Sequence, residues 1–513
     1  MSRFQACLFS VLACLGVLVA AGSGCSRRSP AGSASEPARI SIGIAAPQGS
    51  LDPGIQTVAS LLSHESLVTA GIDGRTGPNI VAKWSASDDG RVWRLQLREG
   101  LTFHDGTPVT SGLVAEILKA ASRDPSQLAL APSFQEITSV TEEGPRTIVV
   151  TFERPSSLFL SDLSLFSLRH GTGEGVAGTG PFIVESRDDK RIVMRRFDRY
   201  RDGAPAIGRI ELHAFPTVRN AWTAMMRGEV DFLFEVGADA AEFVGGESSV
   251  QTFTFLRPYT LTLGFNVQHP VLRSRDVRQA LNRAIDREAI VQAGFRGRAR
   301  PAQGPVWPDH WASSPDVPKF PYDREAALRG FEAAGYGALR EVSGRMPSRF
   351  QFNCLVYPPL ERIALIIQKQ LFEVGVDMTI EIAKIGDIVG RAARGDFDSF
   401  LLWQSSGRSL TFPYLFWHSP EPGRPVFLQS GYTAADAALD RVRYAPNDEE
   451  FRSAVAAFQQ AVHDDPPAVF LAWEERMRAV NRTFHVPPQD PGRDVTYSLW
   501  RWQPAAQVSA RAQ

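Results

Sequence analysis

A chain of 513 residues is about three times the roughly 150 residues of a typical domain, so it holds more than one hydrophobic core. With 55 Lys and Arg against 56 Asp and Glu, 43% hydrophobic and 22% charged residues, its balance is that of an ordinary globular chain. That balance excludes recognition of nucleic acid through an overall basic field.

After Arg3 the stretch Cys7 to Ala21 is apolar apart from Ser10 and Gly16, and it runs into Gly22, Ser23 and Gly24 ahead of Cys25. The run is short for a spanning helix and ends in small residues, so residues 1–24 are expected to be an export signal. Small residues before Cys25 resemble the lipobox of bacterial lipoproteins, in which the signal is cut at the cysteine and the cysteine is acylated. Gly22 departs from that box, which usually has Leu or a similar aliphatic there. The resemblance implies a lipid anchor at Cys25, followed by a flexible tether to residue 38 rich in Ser, Ala, Arg and Pro. The processed chain keeps only Cys25 and Cys354, too few for a disulfide framework.

Ile40, Ile42 and Ile44 alternate with Arg39, Ser41 and Gly43, which predicts a strand opening into Ala46 to Ser50. Trp93, Leu95 and Leu97 alternate again, and Ser111 to Ala121 is helical. Strands follow at Thr147 to Phe152, Ile192 to Phe197 and Ile210 to Phe215, then a helix from Arg219 to Arg227 and a strand from Asp231 to Phe234. Leu261 to Val267 alternates in a strand where the pattern changes character, and the helix after it has Ser274 as its cap. The strand Phe350 to Val356, a helix stopped by Gly375, the strand Val376 to Ile382, a short helix and the strand Phe397 to Trp403 predict a largely parallel sheet. Asp448 to His463 is an amphipathic helix and Val469 to Trp473 a strand.

The nine histidines never form a close pair, the tightest spacing being His463 to His485, so no local metal site is written and no cofactor is expected. G-x-S-x-G, H-E-x-x-H and the P-loop are absent. Gly173 to Gly178 has the letters of a dinucleotide loop, but it leads into the strand Ile183 to Glu185 and not a helix. A secreted hydrolase with a non-local Ser-His-Asp triad is the alternative to be tested.

Several segments carry a family resemblance. Trp93 to Val109 resembles the signature of family 5 extracellular solute-binding proteins, the dipeptide, oligopeptide and nickel binding components of ABC importers. Gly178 to Phe182, Arg227 to Asp231, Gly264 to Asn266, Asp276 to Asp286 and Gly395 to Asp398 follow in that family's order. The resemblance implies an α/β, two-lobed periplasmic-binding-protein-like clamshell with mixed sheets, an inserted subdomain in the first lobe and a two-segment hinge. Residues 39–260 plus 475–513 are then the first lobe, about 55–170 its insertion, and 261–474 the second lobe. The function implied is capture of a small hydrophilic, peptide-like solute and delivery to an ABC permease, by a monomer held to the membrane through its lipid.

Open α/β sheets bind ligand beyond the carboxyl ends of their strands. Three such ends are legible: Ala46 to Ser50, with Gln48; Tyr357; and Trp403, Gln404, Ser405, Ser406 and Arg408. The last matches the position where peptide-binding members carry an aromatic followed by polar contacts, and then an acid that holds the peptide amino terminus. Here no carboxylate lies between Asp398 and Glu421, and Arg408 is the one charge. The expected solute is anionic, or a sugar-like or blocked molecule without a free amine.

Overall fold

The computed structural model describes residues 38–45, 54–237, 240–341, 346–421 and 426–506. The strand Ala38–Ala45 places Ile40, Ile42 and Ile44 in a core, each 2% exposed or less. It runs parallel to Ile207–Phe215 and Phe232–Leu233, while Arg191–Arg196 and Phe182–Arg187 add antiparallel strands beyond Ile207–Phe215.

Two long antiparallel strands, Val250–Phe265 and Ala468–Asn481, carry this sheet onward. Val250 to Leu256 pairs with Asn481 to Glu475, next to Phe232–Leu233; Thr260 to Gly264 pairs with Trp473 to Ala468 and borders Ser399–Ser405. Both strands are longer than their apolar runs predict. Thr252, Phe253 and Thr254 are not fully buried, so ladder pairing and not hydrophobic alternation holds that half. The register shifts between Leu256 and Thr260, and again between Leu261 and Thr262. Such irregularities bend a strand and raise its twist.

Beyond the shift, Phe350–Val356 runs parallel to Val376–Ile382 and to Ser399–Ser405, while Ser399–Ser405 is antiparallel to Tyr259–Phe265. The sheet is therefore mixed, with parallel pairs around Ala38–Ala45 and around Phe350–Val356 and antiparallel pairs elsewhere. The helix Glu361–Glu373 buries Ile363, Ile367 and Leu371 and stops at Gly375, whose φ of 78° suits a residue without Cβ.

Three large hydrophobic cores result. One gathers residues from Leu261 to Trp473. A second joins Ile40, Ile42 and Ile44 to Leu212, Phe232, Val480, Leu499 and Trp502, so both ends of the chain share it. A third, from Leu67 to Ala177, is built on a four-stranded antiparallel sheet of Val81–Ala86, Val92–Leu97, Thr147–Phe152 and Ile137–Glu142. The helix Gly54–Ser63 gives Ile55, Val58 and Leu62 to the Ile40 core, so the separate inserted core begins after it.

The motif residues hold this frame. Phe103 and Phe182 are fully buried. The Asn266 side chain donates to the Gly395 and Phe397 carbonyls, joining two of the motifs. Asn282 donates to the Ala468 carbonyl and Arg287 to the Phe470 carbonyl, which fixes the returning long strand. No helix among the described residues is long and apolar enough to cross a membrane.

Candidate functional site

The carboxyl end of Ser399–Ser405 lies where the first long strand changes register. Ser405 pairs with Tyr259, and the Ser406 and Gly407 amides both donate to the Pro258 carbonyl, at 3.0 and 3.1 Å. The Ser406 hydroxyl is 2.6 Å from that of Thr260. Gly407, at φ 61°, then turns the chain out to Arg408.

Arg408 is half-buried and its guanidinium makes no hydrogen bond to any described residue; its Nε is buried without a partner. Its Cζ stands 5.6 Å from the Trp307 ring. Trp307 belongs to the Leu261 to Trp473 core. Burial is the main cause holding Arg408 below its usual pKa; Tyr497 and Asp494 offset this, and Arg493 adds to it.

Tyr497 exposes 54% of its surface, yet burial is the first cause of its phenol being held above its ordinary pKa. The Arg493 Cζ is 5.8 Å from its ring. Asp494 does not answer Arg408, because Arg478 grips both its oxygens, at 3.2 and 2.7 Å, and the Thr496 amide and hydroxyl bond it as well. Arg478 outweighs the burial of Asp494, whose carboxyl stays below the usual range.

The other sequence-nominated residues fall differently. Trp403 packs edge-on against Phe295, ring centroids 5.7 Å apart, beside the second-lobe core. Gln404 is buried opposite Thr260. Tyr357 is buried in the core at the turn before Pro358. Gln48 and Cys25 lie outside the described residues.

Two contacts between distant parts of the chain had no sequence signal. The loop Ile72 to Arg75 docks on the Leu261 to Trp473 core: Trp307 Nε1 donates to the Ile72 carbonyl at 2.8 Å, and the Arg75 guanidinium stacks 4.0 Å over Trp311. Elsewhere Thr411 donates to the buried Asp162 at 2.7 Å, and Arg443 to Glu136 at 2.9 Å. His418 and Glu421, three residues apart, meet Asp440 with ligand atoms within 4.8 Å of one another, a grouping that histidine spacing alone did not foresee. Tyr414 donates to Glu421 at 2.9 Å, and the His418 Nε2 lies 3.3 Å from Asp440 without a hydrogen bond. Two surface concavities of about 410 and 440 Å³ lie elsewhere, the first lined by Arg98, Arg146 and Arg201 with Glu99 and Asp202, the second by Arg39, Phe484 and Pro504. Ion pairs already engage the first, Arg146 with Glu99 and Arg201 with Glu65 and Asp202, and neither joins the two long-strand halves.

The model of bacterial extracellular solute-binding proteins, family 5 middle, matches residues 75–423. The chain belongs to this family. This solute-binding protein is 27% identical over 372 residues to a probable di/tripeptide-binding protein 5 of Pseudomonas aeruginosa, covering 64% of this chain and 68% of that one. Its fold matches NikZ from Campylobacter jejuni in complex with Ni(L-His), with a TM-score of 0.77 at 20% identity over 91% of this chain and 99% of that one. It also matches AgaA from A. tumefacien R10 in complex with agropinic acid, with a TM-score of 0.74 at 21% identity over 91% and 98%. The protein is a two-lobed solute-binding component of the ABC-importer class and not an enzyme; nothing in these matches supports a hydrolytic triad.

Proposed function

We propose that this protein captures a small hydrophilic, peptide-like solute in the crevice between the Ser405 to Arg408 turn and the Asp490 to Tyr497 segment, and hands it to an ABC permease. The lobes are residues 39–260 with 475–513, and 261–474, hinged where the two long strands shift register. What supports the reading is Arg408, whose Nε is buried without a hydrogen-bond partner among the described residues just past the carboxyl end of Ser399–Ser405. Gln404, Ser405 and Ser406 shape the wall from which it projects, and Trp403 supports that wall from the core side. The relatives' names include di/tripeptide, glutathione and heme binding; the first two support a polar, peptide-like solute and the third does not. Export by the 1–24 signal, acylation of Cys25 and function as a monomer complete the reading.

Native mass spectrometry of the purified soluble form tests it. A retained small molecule at one per chain, released on unfolding and chemically unaltered by the protein, is expected. Steady turnover of an offered solute would contradict the receptor assignment.

A further inference from the structure

The His418 ring is fixed by its surroundings. It stacks on the Tyr414 ring, centroids 4.8 Å apart at 28°, and its Nδ1 lies 2.8 Å from the Ser419 carbonyl. A carbonyl only accepts, so Nδ1 carries a proton. Ser419 is held in turn, its amide and hydroxyl donating to the Asp436 carboxylate at 2.9 and 2.6 Å, and Asp436 opens the helix Asp436–Arg443 that also carries Asp440. With Nδ1 committed as donor, the neutral ring has its lone pair at Nε2. That atom is buried without a hydrogen-bond partner among the described residues, on a side chain 10% exposed, and stands 3.3 Å from Asp440 Oδ1. A lone pair withdrawn from water beside a carboxylate oxygen is unfavourable unless a cation joins the two.

We propose that His418 Nε2, Asp440 and Glu421 bind a divalent cation of the zinc class, which ties the end of the helix Thr411–Trp417 to the helix Asp436–Arg443. Two atoms sharing a tetrahedral zinc at about 2.0 to 2.1 Å are roughly 3.4 Å apart, and the His418 to Asp440 separation matches that edge. The three side chains each offer a ligating atom within 4.8 Å of the others. Glu421 completes the set by turning inward from the Tyr414 hydroxyl, from which it accepts at 2.9 Å. An imidazole whose other nitrogen donates to a fixed carbonyl is the usual form of a metal-binding histidine. One nitrogen with two carboxylates suits zinc and its first-row neighbours, whereas calcium and magnesium take oxygen ligands. The two carboxylates neutralise the ion, and the nearby Arg443, 3.8 Å from Glu421, is already held by Glu136 at 2.9 Å. Tyr414 and Arg443 belong to the contacts that reach Glu136 and Pro132, so the ion braces the docking of the inserted subdomain. None of the residues assigned to the solute takes part; the ion is part of the fold and not cargo.

The test titrates zinc chloride calorimetrically, at about pH 7.5, into purified soluble protein that carries no affinity tag and has been stripped with EDTA. Wild type is compared with His418→Ala and Asp440→Asn. One zinc per wild-type chain is expected, with a Kd of about 1 μM or lower and a raised thermal midpoint. Each substitution should weaken binding at least about tenfold and remove the thermal shift. Asp440 is half-exposed, so Asp440→Asn decides the matter if His418→Ala does not fold. The site is overturned by no zinc binding, which leaves His418 and Asp440 to pair through a proton alone. It is equally overturned by zinc affinity unchanged in Asp440→Asn or in a folded His418→Ala, which places the ion elsewhere, or by calcium binding as tightly as zinc.

Discussion

Arg443 donates to Glu136 across 2.9 Å with its guanidinium fully buried, although 307 residues separate the two and their neighbours Val442 and Phe134 belong to different hydrophobic cores. The same guanidinium bonds the Tyr414 hydroxyl and the Pro132 carbonyl, and Glu136 also accepts from Arg154 and Tyr444. The inserted subdomain is thus fastened to the far half of the chain by a buried network, in which the Arg443 Nε lacks a partner among the described residues.

Removing one member of a buried pair leaves its partner poorly compensated, at about 3 to 5 kcal/mol. Arg443→Met should fall near the lower figure, because Arg154 and Tyr444 still hold Glu136. Urea unfolding followed by tryptophan fluorescence measures it. A loss under about 1 kcal/mol would show that the network does not fasten the subdomain.

Asp162 is fully buried, and that burial pushes its carboxyl up to about 6, against the Ser133 amide and hydroxyl, Thr411 and the charge of Arg443. A raised carboxyl means that the folded protein holds the proton more firmly than the unfolded chain. Its contribution is full below about pH 4 and is lost as pH rises through about 6, roughly 2 to 3 kcal/mol in all. Asp162→Asn keeps the shape without the charge, so the wild-type minus variant stability should fall between pH 4 and pH 7. A difference flat across that range would refute the assignment.

Gly74 has φ 80°, and a Cβ there would lie 2.1 Å from the Arg408 carbonyl and 2.6 Å from the His310 ring. Gly100 has φ 71° with nothing within 4 Å of the same position. Alanine at Gly100 should cost about 1 kcal/mol from backbone strain alone and leave solute affinity unchanged. Alanine at Gly74 carries the same strain and also wedges the Ile72 to Arg75 loop away from Arg408, so it should weaken binding of any solute that wild type accepts. Equal effects of the two substitutions on binding, by calorimetry, would argue against this docking.

How much of this was legible in the sequence depends on whether a feature is local. The strands around Ile42, Leu95 and Cys354 and the Gly375 stop follow from alternation and turn chemistry, and the structure places them as expected. Val250 to Leu256 was not read as part of this strand, although Phe253 and Phe255 alternate with Thr252 and Thr254, because its residues are mostly only partly buried and its length is set by pairing with Glu475 to Asn481. Arg408 stood out as a lone charge after a strand, but its missing partner depends on Arg478 having taken Asp494, a contact that leaves no trace in spacing. Trp403 illustrates the opposite case, an aromatic at a strand end whose ring is committed to Phe295.

Cys25→Ser should move the protein from the membrane to the soluble fraction. No described helix could hold it there, and an acyl anchor acts through buried CH₂ groups at about 0.8 kcal/mol each. Fractionation of cells expressing both forms decides it, and membrane association unchanged by the substitution would remove the lipoprotein assignment.

The central claim is that solute closes two lobes hinged at the register shifts of Val250–Phe265 and Ala468–Asn481. Small-angle X-ray scattering measures it directly, on wild type with and without the solute that native mass spectrometry identifies, at saturation. The radius of gyration should fall on saturation, and should fall less in Gly74→Ala. An unchanged radius with the solute demonstrably bound would contradict the clamshell account.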